Sequence, residues 1–350
     1  MSRRRLLAAA VAVLLVIVAV VALVPRDEPG DERRTRTHAT DQLGHQLTAL
    51  SVVPDPEGDG WLGVYHWPTG KGPADFAVGL ATSKDLLRWE NVAQLDADGG
   101  NMPVLHRTPD GGFLLAYEDY LRVVEGNAIS RIRVRAYADR ARLLTNTWST
   151  QRTLPATLSD NNEGTPSFDL VDWNGSAAAS TIRLRFHFNA GATGVDRQGV
   201  GTLRGFRDWT AERDRALDRT LTAAGFPASH GRRTTFTAGG RPWMLIEAQE
   251  RPADFATWRL VLLDRGPAPR ADPVAVCGGV GVPTAGSVGV PAVALPPGGA
   301  DGPAALFLSA FVFDGPAGGT FLARRSLPDD LGADPRRIAG LFARCAPGAD

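Results

Sequence analysis

Lysine is nearly absent from this chain and cysteine and tyrosine are scarce: among 350 residues there are two lysines (Lys71 and Lys84), two cysteines and four tyrosines. Cys277 and Cys345 stand far apart, outside any CxxC or Cys/His spacing, so a zinc-ribbon or finger is excluded. In an oxidising compartment the same two residues predict one disulfide that ties the C-terminal tail back across the last part of the domain. Charge of one sign is missing as well, since 38 basic residues are scattered among 38 acidic ones. That balance leaves no electrostatic footprint for nucleic acid, which is not expected as a partner. The chain has no G-x-S-x-G elbow, and the Gly-rich stretch from Cys277 to Gly281 lacks the strand, helix and Lys context of a phosphate loop. Asn174-Gly175-Ser176 reads as a hairpin turn.

What is present begins with a hydrophobic run. Leu6 to Val24 are nineteen consecutive apolar residues, preceded by Arg3, Arg4 and Arg5 and followed by the polar, Pro-containing stretch Pro25 to Asp31. That length spans a hydrocarbon core, and the flanking charges favour an N-inside orientation. Residues 1–24 are therefore expected to be a signal anchor, with a cleaved signal peptide and secretion as the alternative. Residues 25–40 read as a linker, and 41–350 as one globular domain on the far side of the cell membrane.

After residue 40 helical periodicity is scarce, and short apolar or alternating runs are punctuated by Gly, Pro, Asp and Asn. One apolar strand recurs five times, as WLGVY (61–65), FLLAY (113–117), IRLRF (182–186), WMLIE (243–247) and LFLSA (306–310). Each follows a turn-rich segment and, before that, an entry strand, and the entry positions His45, Asn101, Glu163, His230 and Ser287 are separated by 56, 62, 67 and 57 residues. Trp89, Trp148 and Trp209 close three successive units at separations of 59 and 61 residues. A repeat of that length with four short strands predicts an all-β, five-bladed propeller. Asp208 to Ala224 predicts one helix between blades three and four, and Asp334 to Ala343 a short terminal one.

The run SKDLLRW (Ser83 to Trp89) resembles the S-x-D-L-x-x-W outer-strand signature of the five-bladed propeller glycosidases, glycoside hydrolase families 43, 32 and 68, and GFRDW, ending in Trp209, is a weaker copy. The EGTP of Glu163 to Pro166 is similar to the E-G-P at which family 43 carries its general acid, at the start of the third blade. The resemblance implies a glycan substrate with Glu163 as the acid. It also implies an Asp opening blade one and another opening blade two, where this chain has His45-Gln46-Leu47 and Asn101-Met102-Pro103. The sialidase-type S-x-D-x-G-x-x-W box is absent.

In a propeller the start of strand one and the end of strand two meet on one rim. That topology gathers His66-Trp67, Glu118-Asp119-Tyr120, His187-Phe188-Asn189 and Gln249-Glu250 with His45, Asn101, Glu163 and His230 into a polar and aromatic funnel. Glycoside hydrolysis needs two carboxyl groups, which Glu163 with Glu118 or Asp119 would supply. The expected substrate-binding set is His45, His66, Trp67, Asn101, Tyr120, His187, Asn189 and His230. No two histidines stand at ligand spacing within one strand and no cofactor motif is found, though an axial calcium is compatible with the sequence. Three functions follow as alternatives: a glycosidase, a propeller that binds a cell-envelope glycan or protein without chemistry, and a structural envelope protein.

Overall fold

The protein is described from a computed structural model that covers residues 34–341, apart from 59, 73, 125–126, 192–193, 267–272, 277–287, 295–304, 313–317 and 328–334. The apolar run 6–24, both cysteines and Ser287 lie outside the described residues. Among those residues no helix is long and apolar enough to cross a membrane.

Five antiparallel four-stranded sheets form the blades. The first strand in the chain, β1 (Arg34–Arg36), belongs to the last blade. Blade one is β2 (Thr48–Pro54), β3 (Trp61–Pro68), β4 (Phe76–Ser83) and β5 (Glu90–Asp96). Blade two is β6 (Gly100–Arg107), β7 (Phe113–Val124), β8 (Asn127–Tyr137) and β9 (Thr150–Thr153). Blade three is β10 (Glu163–Asp172), β11 (Thr181–Asn189), β12 (Asp196–Arg204) and β13 (Asp208–Arg213). Blade four is β14 (His230–Ala238), β15 (Arg241–Gln249), β16 (Trp258–Asp264) and β17 (Val274–Val276). Blade five is β18 (Val288–Ala294), β19 (Ala305–Val312), β20 (Gly319–Ser326) and β1, which closes the ring by pairing with β20. Residues 34–36 are thus not linker.

The second strands of blades one, two, four and five are apolar on both faces because they are sandwiched between neighbouring blades, whereas β11 alternates Ile182, Leu184 and Phe186 with Arg183 and Arg185, and the period of two sorts the residues. On β7, Phe113, Leu115 and Tyr117 pack with Leu62, Val64 and Leu80 of blade one. Leu114 and Ala116 turn the other way, onto Ile182, Leu184 and Phe186 of blade three. Each fully buried Leu or Phe contributes about 1.5–3 kcal/mol of transfer free energy.

The SKDLLRW turn holds a tryptophan at the outer edge of blade one. Ser83 Oγ accepts from Leu86 N, and the Asp85 carboxylate accepts from Leu87 N and Arg88 N. Leu86 is thereby held at φ 67°, and Trp89 donates its indole N–H back to Leu86 O at 2.9 Å. The ring lies over Gly63, where a Cβ would come within 2.6 Å of it. Trp209 repeats the arrangement over Gly201, with Phe206 at φ 55° three residues earlier. Trp148 does not: it is 41% exposed and lies under the Arg135 guanidinium, 4.4 Å from its ring centre.

Among the described residues three short α-helices decorate the blades: α1 (Arg140–Leu144), α2 (Arg215–Ala223) and α3 (Pro335–Gly340). The helix expected over 208–224 is corrected at its first half. Asp208–Arg213 pairs with β12 as the outer strand of blade three, and the helix begins only where the Asp214 side chain caps Leu217 N at 3.0 Å. Leu217 and Leu221 then dock on Met244, Ile246 and Val261 of blade four.

Candidate functional site

The rim is shaped by a bulge repeated in all five inner strands, where one extra residue is inserted between Thr48 and Ser51, Asn101 and Val104, Gly164 and Ser167, His230 and Arg233, and Gly289 and Ala292. Ala49 (φ 56°), Met102 (φ 48°) and Thr165 (φ 46°) take the left-handed backbone that the bulge requires. A bulge leaves backbone N–H groups without ladder partners, and side chains at the strand-two exits take them. Met102 N donates to His66 Nδ1 of blade one at 3.3 Å, Thr165 N to Glu118 Oε2 of blade two at 3.2 Å, and Arg232 N to Glu247 Oε1 at 2.8 Å. The register also corrects the equivalence of first-strand positions. Asn101 faces Glu118 and Gly164 faces His187, so Glu163 is level with Gly100, one residue before Asn101. His45 precedes β2 altogether.

The three candidate carboxylates are each engaged. Glu163, 2% exposed, turns Oε1 onto three backbone N–H groups, of Thr157 (2.7 Å), Leu158 (2.5 Å) and Ser159 (3.0 Å). Glu118, 1% exposed, lies against Gly164, where a Cβ would come within 2.3 Å of its carboxyl carbon. The glycine of EGTP is thus required by the carboxylate of the neighbouring blade. Glu118 also pushes the Tyr120 hydroxyl pKa upward, with burial adding to the effect. Asp119 is ion-paired with Arg133 at 2.5 Å, and its pKa is raised by burial, which Arg133 only partly offsets.

The aromatic residues of blades one and two form a wall on one side. His45 stacks on Trp67 with ring centres 4.2 Å apart, Phe76 meets His66 edge-on at 5.2 Å, and Tyr120 lies 6.0 Å from Phe76. Asn101 Nδ2 donates to Tyr120 Oη at 3.0 Å. Behind this wall, buried Asp41 accepts from Tyr65 Oη at 2.5 Å and holds His45 Nδ1 at 2.9 Å. Burial opposes ionisation of Asp41, yet the bonds from Tyr65 and His45 outweigh it and keep its pKa below the usual range. Strands β7 and β8 continue past the rim beside the wall and carry exposed Leu121. Blade three contributes amides: Asn162 Oδ1 meets His187 Nε2 at 3.1 Å, and Asn189 Nδ2 reaches Asp196 Oδ1 at 3.3 Å.

Two expected members lie elsewhere. His230 is fully buried between Asp218 Oδ1 and Phe226 O, locking α2 to blade four rather than facing the funnel. Glu250 lies beside Arg259, 3.5 Å away. The sequence reading missed Arg232 and Arg233, which sit at the propeller axis: Arg232 Nη2 donates to Pro103 O of blade two at 3.1 Å, and Arg233 Nη2 to Thr165 O of blade three at 2.7 Å. The signal was available as two adjacent charges in an inner strand. Among the described residues no group of three or more His, Cys, Asp or Glu could hold a metal, and Arg232 and Arg233 line the axial channel. The larger hollows, such as the one bounded by Trp61, Ser83, Arg88 and Arg140, are open grooves at blade edges. They lack the convergent strand ends of the rim.

No family profile and no curated protein sequence matches this chain. Solved structures do match in fold. A glycoside hydrolase superimposes with a TM-score of 0.55 at 12% identity over 88% of this chain and 93% of its own. An exo-β-1,3-galactanase from Clostridium thermocellum gives 0.55 at 10% identity over 85% and 63%, and a Cellvibrio cellulosa α-L-arabinanase 0.51 at 13% over 85% and 98%. Identities this low bear on architecture alone: the chain is a five-bladed β-propeller whose structural neighbours include family-43 and related propeller glycosidases.

Proposed function

We propose that this propeller recognises a glycan on the rim formed by blades one to three and does not hydrolyse it. Sequence residues 6–24 would hold it at a membrane with the rim in the extracytoplasmic space. The observation that carries the reading is the orientation of Glu163: its Oε1 is turned onto three backbone N–H groups and its Oε2 onto the Thr157 hydroxyl, so the carboxyl group serves the 157–159 loop. A glycosidase needs one carboxyl group to protonate the leaving oxygen and a second to attack or to activate water. Asp119 is held by Arg133, and Leu47 and Gly100 stand level with Glu163 on the first two blades, where a carboxylate is missing. What the rim offers suits binding: half-buried aromatic rings at Trp67, Phe76 and Tyr120 on blades one and two, and the amides of Asn162 and Asn189 from blade three. Rings bury sugar C–H faces while amides satisfy the hydroxyls, the usual division of labour in a ligand site.

One observation favours a hydrolytic reading. Glu118 Oε1 is buried without a hydrogen-bond partner among the described residues, which leaves one carboxyl oxygen uncommitted at the rim. A glycan array probed with the full chain and with Trp67→Ala separates the readings when retained oligosaccharides are also sized. The binding reading expects retention of some glycans intact, weakened in Trp67→Ala. Shortened products that vanish in Glu118→Gln would overturn it in favour of hydrolysis.

A further inference from the structure

Beneath the rim the five inner strands enclose a cavity of about 220 Å³ on the axis, walled by Ser51, Val104, Ser167, Arg232, Arg233 and Thr234 among others. Alternation along a strand would send Arg232 and Arg233 to opposite faces, but the bulge between His230 and Arg233 brings both to this channel. They are 3% and 1% exposed. Blades two and four are not neighbours in the ring, so the bond from Arg232 Nη2 to Pro103 O runs across the axis. Arg233 is fixed on its other side by Gln198 Oε1 and Thr165 O. Those contacts leave Arg232 Nη1 and Arg233 Nε buried with no hydrogen-bond partner among the described residues.

The surrounding charges do not neutralise the pair. The nearest acid acting on both is Glu247, whose Oε1 already accepts the Arg232 backbone N–H. Asp169 acts on Arg233 but is bound by Arg183 and Arg185. Arg185 adds further positive charge and is shared with Asp214. His66, also close to Arg232, and His106 at the cavity wall are both held toward the neutral form by burial. Two buried guanidinium groups against one shared carboxylate is a costly arrangement for a protein interior, since each uncompensated charge loses its hydration. Ser51, Ser167 and Thr234 add hydroxyl groups at the same wall.

From two buried guanidinium groups that line one axial cavity and each keep a nitrogen unpartnered among the described residues, we infer that the channel is a binding site for a small inorganic anion, a halide or a tetrahedral oxyanion. The anion bridges Arg232 and Arg233 and ties blade four to the ring from inside. A resident cation is disfavoured by the same charges. The site is separate from the glycan rim and stands whether or not that rim binds sugar.

Thermal unfolding of the full chain in gluconate buffer, with chloride, bromide or phosphate substituted at constant ionic strength, tests this. Gluconate serves as the bulky reference anion. A saturable rise in Tm with at least one of the small anions is expected, because a ligand that binds only the folded state stabilises it by mass action. Arg232→Met and Arg233→Met should each abolish the saturable part. A rise of equal size in both variants, or none in the parent, would overturn the site. If the variants do not fold, bromide-soaked crystals of the parent decide: an anomalous peak between the two guanidinium groups is expected, and an axis free of bromide contradicts the proposal. The choice among halide and oxyanion follows from which salt saturates first.

Discussion

Glu163 shows how a motif can be right about a residue and silent about its direction. EGTP at the start of blade three marks a carboxylate that is 2% exposed, but its oxygen supports the 157–159 loop. Glu163→Gln puts an amide where three N–H groups need an acceptor. The expected cost is about 1–3 kcal/mol of stability with glycan retention unchanged; urea unfolding beside the array measures both, and an unaltered midpoint with lost glycan retention would count against the loop role. His66 carries a second prediction. Burial and the neighbouring Arg232 push its pKa down to about 3 from an ordinary 6.5. The unfolded chain therefore takes up a proton that the folded chain refuses, so stability is fully present above pH 6.5 and falls as pH drops from there toward 3. The loss reaches on the order of 3–5 kcal/mol across that window. His66→Asn, which cannot be protonated, should flatten this part of the stability–pH curve; an unchanged slope would show that other groups set it.

At the scale of elements, four of the second strands were legible because a strand buried on both faces needs a continuous apolar run, and β11 because Ile182, Leu184 and Phe186 alternate with polar residues; turns interrupt both patterns visibly. The SKDLLRW turn was legible for a different reason: Ser83 and Asp85 are the turn chemistry itself. Trp148 was misplaced because spacing alone equated it with Trp89 and Trp209, whereas it lacks a facing glycine like Gly63 or Gly201. Gly63→Ala should therefore cost stability comparable to overpacking a core, about 1–3 kcal/mol, with the Trp89 fluorescence environment altered. A neutral Gly63→Ala would mean the indole can move aside. The 208–224 segment mixed two periods, alternation in DWTAER and a helical stripe in RALDRTLTA, and its boundary at Asp214 became clear only from the cap. The inner-strand bulges had no sequence signal of their own. His66 and Glu118 were found as rim residues for that reason, but their role in capping bulges was not.

The whole molecule closes on itself through three residues with no apolar signal. Arg34–Arg36 becomes a strand only because β20 would otherwise be an open edge, a requirement of the ring rather than of the local sequence. Deleting residues 34–36 should expose that edge and speed amide exchange across Gly319–Ser326, while blades two and three keep their protection; unchanged exchange in β20 would show that the ring does not depend on this clasp. Ring closure also brings the inner strands together on one axis, which is how residues more than a hundred positions apart, Pro103 and Arg232, come to bond. The rim above that axis is where the central claim rests. The most direct test is product analysis by mass spectrometry of each oligosaccharide that the full chain retains on a glycan array, after prolonged incubation. Recovery of the retained glycan at its original length is the predicted result, and release of shorter sugars, or no glycan retained at all, would contradict the account.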